Sequence, residues 1–269
     1  MKPFRFGLVA AQAGSAEEWL GKARRAESLG YSTLLVPDRV ATAISPLPAL
    51  AAAAAVTSDL HVGTFVLACG LRNPAVLAHE CATLDLLSGD RFEVGLGTGV
   101  SEEDFRRAGV DFGTPGQRLT RLAETIAALR AGGSRRPVLV AGSGRRVLAL
   151  AAREADIIGL AAPPTAAIDE VREKSDWIRE AAGTRLADLE INLNLIAAGN
   201  HVDPRFLARF GLDLSELRRL GSLYILSGGP EEMRDQLLAR REALGASYIT
   251  INDAYIEALA PVVELLAGR

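Results

Sequence analysis

The chain of 269 residues is poor in the side chains that carry most enzymatic chemistry. Its three lysines are Lys2, Lys22 and Lys174. None falls at the C-terminal end of a strand-like run, which disfavours a Schiff-base aldolase. The three histidines, His61, His79 and His201, are scattered, with no His-x-His and no metal-ligand spacing. A metal-dependent hydrolase is disfavoured on that ground. No Gly-x-Ser-x-Gly elbow occurs. Two cysteines, Cys69 and Cys81, are too few for a disulfide scaffold and fit a reducing cytoplasm. Charge is balanced, 30 Lys and Arg against 33 Asp and Glu, so no basic face for nucleic acid is expected. Long apolar runs are also missing. Residues 47–56 are too few to cross a bilayer, and residues 6–11, behind Lys2 and Arg5, are too few for a signal-peptide core. The expectation is a cytoplasmic protein without a membrane partner.

What the chain does have is glycine and apolar residues, 26 Gly and 49% hydrophobic, enough for a large core. Eight apolar runs read as buried strands: 5–9, 32–36, 61–67, 92–96, 137–141, 156–161, 190–196 and 247–251. Helical patterns separate them. Ser15 and Glu18 form a capping box before Trp19, Ala23, Ala26 and Leu29, and Gly30 closes that helix. Pro46 and Pro48 lead an Ala-rich helix over 47–57. Asn73-Pro74 caps the next, and Gly89 ends it. Further helices are predicted from Pro115, over 168–182, over 204–226 and before Gly245. Eight strands alternating with helices predict a single α/β domain over residues 1–269, a (β/α)8 TIM barrel, with a doubly wound open sheet as the alternative.

In such a barrel the chemistry sits at the C-terminal strand ends. Two of these ends are built of glycine. Residues 92–96 run into Gly97-Thr98-Gly99 and then an acidic, helix-opening Ser101-Glu102-Glu103-Asp104. The alternation Gly95, Gly97, Gly99 removes Cβ atoms from one face. This either leaves bare backbone for a flat ligand or meets the geometry of a tight turn. Gly142-Ser143-Gly144 opens a helix beside Arg145 and Arg146. It reads either as a phosphate cradle, with backbone N–H groups and the helix dipole aimed at an anion, or as a plain turn. With few proton-transfer groups nearby, the pattern suggests a bound cofactor that supplies the chemistry.

On these and further stretches the chain resembles the luciferase-like monooxygenase superfamily, most closely its coenzyme F420-dependent oxidoreductase branch. The stretches are Leu34-Leu35-Val36-Pro37-Asp38, Val62-Gly63-Thr64-Phe65-Val66-Leu67, Leu71-Arg72-Asn73-Pro74, Arg91 through Gly99, and Val140-Ala141-Gly142-Ser143-Gly144. The resemblance implies a homodimeric barrel, with helices three and four at the interface, that binds F420 or FMN at the strand C-termini. By position, Phe65-Val66 matches a bulge with a cis, non-proline peptide behind the cofactor ring. Asp38, Ala68, Gly97, Thr98, Gly99 and Val100 would line the ring, and Ala141, Gly142, Ser143 and Gly144 would hold the phosphate.

Three departures from the family pattern stand out. Arg39 occupies a position that is commonly histidine in the deazaflavin branch, and arginine cannot act as a general base. With Asp38 it forms the candidate catalytic pair. Arg39 would pin an anionic substrate or a ring carbonyl, or else simply pair with Asp38. Val100 replaces a residue that is often acidic or aromatic, and the segment 131–136 is short. The resemblance therefore implies an F420-dependent oxidoreductase passing a hydride between the deazaflavin C5 and a small-molecule substrate. The alternatives are an FMN-dependent monooxygenase, or a barrel that has lost its cofactor and serves as a binding protein.

Overall fold

A computed structural model describes residues 2–40, 43–131, 136–200, 207–208, 211 and 213–269. Eight parallel staves close into a barrel inside a ring of helices. In chain order the elements begin β1 (Arg5–Val9), α1 (Ala16–Ser28), β2 (Thr33–Val36), α2 (Pro46–Ala54), β3 (His61–Thr64), β4 (Leu67–Ala68), α3 (Pro74–Ser88) and β5 (Phe92–Gly97). They continue with α4 (Glu102–Ala108), α5 (Pro115–Ala131), β6 (Val138–Gly142), α6 (Arg145–Glu154), β7 (Ile157–Leu160), α7 (Ile168–Ala182) and β8 (Glu190–Leu195). The last are β9 (Ala197–Ala198), α8 (Leu214–Arg219), β10 (Ile225–Leu226), α9 (Pro230–Leu244), β11 (Ala246–Asn252) and α10 (Ile256–Leu266).

The barrel prediction holds and the open sheet does not. β1 pairs with β11 through Gly7 and Thr250, and β3 closes the ring onto β5 through Val62–Phe92 and Gly63–Glu93. The third stave, expected as one strand over 61–67, is split. β3 stops at Thr64, a cis peptide joins Phe65 to Val66, and β4 resumes on β5 with Leu67 opposite Leu96.

The helix ends follow their sequence signals. Ser15 Oγ accepts from Glu18 N, while Glu18 reaches one residue further back than a capping box would, to Gly14 N at 2.7 Å. Asn73 caps α3 through the N–H groups of Ala75 and Val76. Gly30, Gly89 and Gly245 all take positive φ just past a helix.

The helix expected over 204–226 is a correction. Among its described residues 207–208 and Leu214–Arg219 are helical, and Ile225–Leu226 forms β10 beside β9. Leu223, Tyr224, Ile225 and Leu226 are all buried. A surface helix buries one face only, so four consecutive buried residues favour a strand. Residues 132–135 of the short segment lie outside the described residues.

The barrel is plugged at the end opposite the site. Arg5, at the start of β1, donates to Glu93 at 2.9 Å and to Glu190 at 2.7 Å, and lies over the Tyr248 ring at 3.4 Å. Tyr248 donates to the other Glu93 oxygen at 2.5 Å. Burial opposes the Arg5 charge, but Glu93, Tyr248 and Glu190 outweigh it and raise its pKa. Glu93, although it lies within the 91–99 stretch, is thereby a floor residue. Above the plug, Leu35, Leu139 and Ile157 pack with Val9, Phe65, Val66 and Ala141 inside the barrel.

Candidate active site

The C-terminal strand ends gather most of the residues the sequence singles out. Phe65, Val66 and Ala141 share one packed group in the barrel interior. Gly97 and Gly99 join it edge to edge. A Cβ built on Gly97 would meet Val66 Cγ2 at 2.8 Å and the Ala141 carbonyl at 3.8 Å, and one on Gly99 would lie 3.5 Å from Ala68 Cβ. Phe65, Val66, Ala68, Thr98, Gly99 and Ala141 are partly exposed. Val100 is 90% exposed.

The glycine alternation has a different cause from a waiting ligand. A Cβ on Gly95 would stand 2.0 Å from the Thr64 carbonyl oxygen. Thr64 Oγ1 meanwhile donates to the Gly95 carbonyl at 2.9 Å and accepts from Gly95 N at 2.8 Å. Gly97 makes room for Val66. Gly99, at φ +81, makes room for the Phe105 ring, which would be 2.7 Å from its Cβ. The bare face thus receives the bulge and an aromatic ring of the protein itself. That bulge in turn presents Phe65 and Val66 to the mouth.

Asp38 and Arg39 are adjacent in sequence and do not pair. The buried Asp38 carboxylate accepts from Arg72 Nη1 at 2.5 Å and Nη2 at 2.9 Å, and from Ala68 N at 3.1 Å. It ties the end of β2 to the loop before α3 and fixes the height of β4. Burial works against the Arg72 charge, and Asp38 outweighs it, so the guanidinium is held more firmly protonated. Arg39, about half exposed, donates through Nε to Asp104 at 2.7 Å. Asp104 is 4% exposed. The pair fixes the Arg39 guanidinium plane at the rim.

The start of α6 has the features of an anion site. Its N-cap is Gly144, with no side-chain cap and no acidic residue in the first turn. The N–H groups of the first turn therefore face outward. A Cβ on Gly144 would meet nothing within 4 Å, so the space before the helix is open. Arg145 and Arg146 are exposed beside it. Lys174, from α7, donates to the Ser143 carbonyl at 2.6 Å and lies 5.4 Å from the Trp177 ring centroid.

Sequence reasoning missed Lys174, Arg72 and Asp104. Arg72 and Asp104 were visible only as neighbours of caps, and Lys174 reaches the cradle from a separate helix with no local signal. Among the described residues no cluster of His, Cys, Asp and Glu is arranged to hold a metal, and no helix is long and apolar enough to cross a membrane. Burial pushes the Cys69 thiol up to about 12, which makes it a core residue and not a nucleophile.

Residues 2–135 match the family model described as luciferase-like monooxygenase. An uncharacterized protein of Mycobacterium tuberculosis is 33% identical over 150 residues, 47% of this chain and 52% of that protein. The F420-dependent glucose-6-phosphate dehydrogenase of Amycolatopsis mediterranei is 32% identical over 117 residues, 39% of this chain and 34% of that protein. The chain thus spans about half the length, or less, of the curated relatives it matches. Among solved structures, an F420-dependent secondary alcohol dehydrogenase in complex with an F420-acetone adduct aligns over 97% of this chain and 99% of its own, with TM-score 0.78 and 16% identity. A riboflavin lyase with modified FMN and riboflavin aligns over 98% and 92%, with TM-score 0.76 and 15% identity. At those identities the likeness is one of fold. The family match, across half of the sequence, leads to one conclusion: the chain belongs to the luciferase-like monooxygenase family.

Proposed function

We propose that this protein is an F420-dependent oxidoreductase that moves a hydride between the deazaflavin C5 and a small organic substrate. The observation that carries the reading is the uncapped start of α6, open in front of Gly144 and flanked by Arg145, Arg146 and Lys174, on the rim of an apolar barrel mouth. This donor set fits a phosphate-bearing, flat cofactor. The N–H groups and cations answer the phosphate, and Phe65, Val66 and Ala141 offer an apolar bed for a ring. The F420-dependent relative, matched over 39% of this chain, favours a deazaflavin.

When bound, the deazaflavin supplies a carbon that gives or accepts a hydride, so the protein need not furnish an electron sink. The chain's own residues then bind and orient. Phe65, Val66 and Ala141 exclude water from one ring face, and Gly142, Ser143 and Gly144 hold the phosphate. Asp38, committed to Arg72 and Ala68, keeps β4 in place. Arg39, pinned by Asp104, orients a carbonyl or anionic group of the substrate through its guanidinium. A homodimer through α3 belongs to the same proposal, because Val76, Leu86 and Leu87 stand 56%, 79% and 65% exposed along it.

FMN is the second reading, because the same cradle suits its phosphate and a flavin enzyme shares the fold. Offering reduced F420 with aldehydes and ketones, beside reduced FMN under an oxygen electrode, tests the choice. Return of deazaflavin absorbance on substrate addition is expected. Oxygen uptake with reduced FMN, and no F420 turnover, would transfer the protein to the second reading.

A further inference from the structure

Above the plug, three polar side chains on adjoining staves form a directed chain. β8 and β11 run parallel, with Asn192 opposite Tyr248 and Asn194 opposite Thr250. Asn192, 1% exposed, donates from Nδ2 to the Tyr248 carbonyl at 3.1 Å and to Thr250 Oγ1 at 3.2 Å. Thr250 Oγ1 donates to Asn194 Oδ1 at 3.0 Å.

The direction of this chain is fixed by its lower end. A main-chain carbonyl can only accept, so the Asn192 amide must turn its nitrogen toward Tyr248. Turned the other way, two carbonyl oxygens would face each other. With the nitrogen's second hydrogen on Thr250, that hydroxyl has its own hydrogen left to give, and Asn194 Oδ1 is the acceptor within reach. Asn194 is thereby held by its oxygen, and its Nδ2 keeps both hydrogens for something else. One stave position above buried Asn192, on the interior face, Asn194 is partly exposed. On that face the exposure opens to the mouth.

A second observation shows that this polar wall adjoins the ring bed. Asn192 Oδ1 is buried without a hydrogen-bond partner. It faces Gly159, whose built Cβ would lie 3.7 Å from it and 2.9 Å from Ala141 Cβ. The absent side chain at 159 keeps the amide wall next to Ala141, which belongs to the ring bed described above.

We propose that Asn194 is a specificity-determining residue whose Nδ2 donates to a ring carbonyl oxygen of the bound deazaflavin or flavin, and that Thr250 is the positioning residue that fixes its amide. The proposal rests on the functional reading above. Asn194 stands on β8 just above Asn192, whose neighbour Gly159 adjoins Ala141 of the ring bed, and this neighbourhood selects the cofactor as the acceptor.

The test uses the full chain and equilibrium titration with F420 and with FMN, beside thermal melts. Asn194→Asp keeps an oxygen for Thr250 and replaces the donor by an acceptor of the same shape. It is expected to weaken the preferred cofactor at least about tenfold, with the melting temperature unchanged. Thr250→Val is expected to weaken it about threefold to tenfold, and Thr250→Ser, which keeps the hydroxyl, to restore it. The serine rescue also separates positioning from mere packing if the valine variant melts lower. Equal affinities in wild type and Asn194→Asp would overturn this inference while leaving the cofactor reading intact. A wild-type protein that binds neither cofactor would overturn both.

Discussion

Alanine at three glycines should act in three different ways, and the ranking tests how the 91–99 stretch is built. At Gly95 the new Cβ would lie 2.0 Å from the Thr64 carbonyl oxygen, and ordinary contact begins at 3.4 Å. The difference, 3.4 − 2.0 = 1.4 Å, must come from main chain on two paired staves. It would also break the two hydrogen bonds between Thr64 Oγ1 and Gly95. Overpacking of this kind costs about 3 kcal/mol or more, and each bond adds about 1 kcal/mol. At Gly97 the obstacle is the Val66 Cγ2 tip at 2.8 Å, a side-chain end that can turn, so about 1–2 kcal/mol is expected. At Gly21, exposed within α1 with nothing within 4 Å, alanine should stabilise by about 0.5–1 kcal/mol. At roughly 2–4 °C per kcal/mol for a chain of this size, the melting temperature should fall by about 8 °C or more for Gly95→Ala. It should fall by a few degrees for Gly97→Ala and rise slightly for Gly21→Ala. Calorimetry on the three variants is the assay. A Gly95→Ala protein as stable as wild type would refute the claim that the bulge dictates that glycine.

Other expectations concern single residues. Burial, with Arg5 and Arg91, outweighs Glu93 and holds the His61 pKa below its ordinary 6.5. The folded state therefore takes a proton less readily than the unfolded chain, and this contribution is complete above pH 6.5 and lost as pH falls below it. Urea midpoints of His61→Gln should fall less steeply than wild type on the acid side, and parallel curves would contradict the assignment. Asp38→Asn leaves the mostly buried Arg72 without its carboxylate and should cost about 2–4 kcal/mol. Arg39→Ala, which removes a guanidinium that is itself half exposed, should cost less, about 1 kcal/mol. Denaturant melts that reverse this order would show the roles of the two residues to be exchanged. Lys174→Met should weaken FMN binding about threefold to tenfold and leave riboflavin, which has no phosphate, unaffected. An equal loss for both ligands would remove Lys174 from the cradle.

The staves and their order were legible because parallel strands buried on both faces read as short apolar runs, and because Ser15, Asn73, Gly89 and Gly245 mark helix ends chemically. Position at the mouth was legible for the same reason, since a strand's C-terminus in a barrel fixes which end it faces. What each polar group touches was not. Asp38 and Arg39 suggested a pair, yet their partners are Arg72 and Asp104, set 34 and 65 residues away by the fold. The glycine alternation was visible, but its purpose depended on a neighbouring stave that no local pattern describes. Residues 223–226 failed as a helix because their burial comes from β9 and the surrounding core, which periodicity along the chain does not record.

The most direct test of the central claim is a fluorescence titration of the purified protein with F420 and, separately, with FMN. Micromolar binding of F420 with clearly weaker binding of FMN is expected. Preference for FMN would contradict the deazaflavin reading, and affinity for neither would contradict a redox role for this barrel.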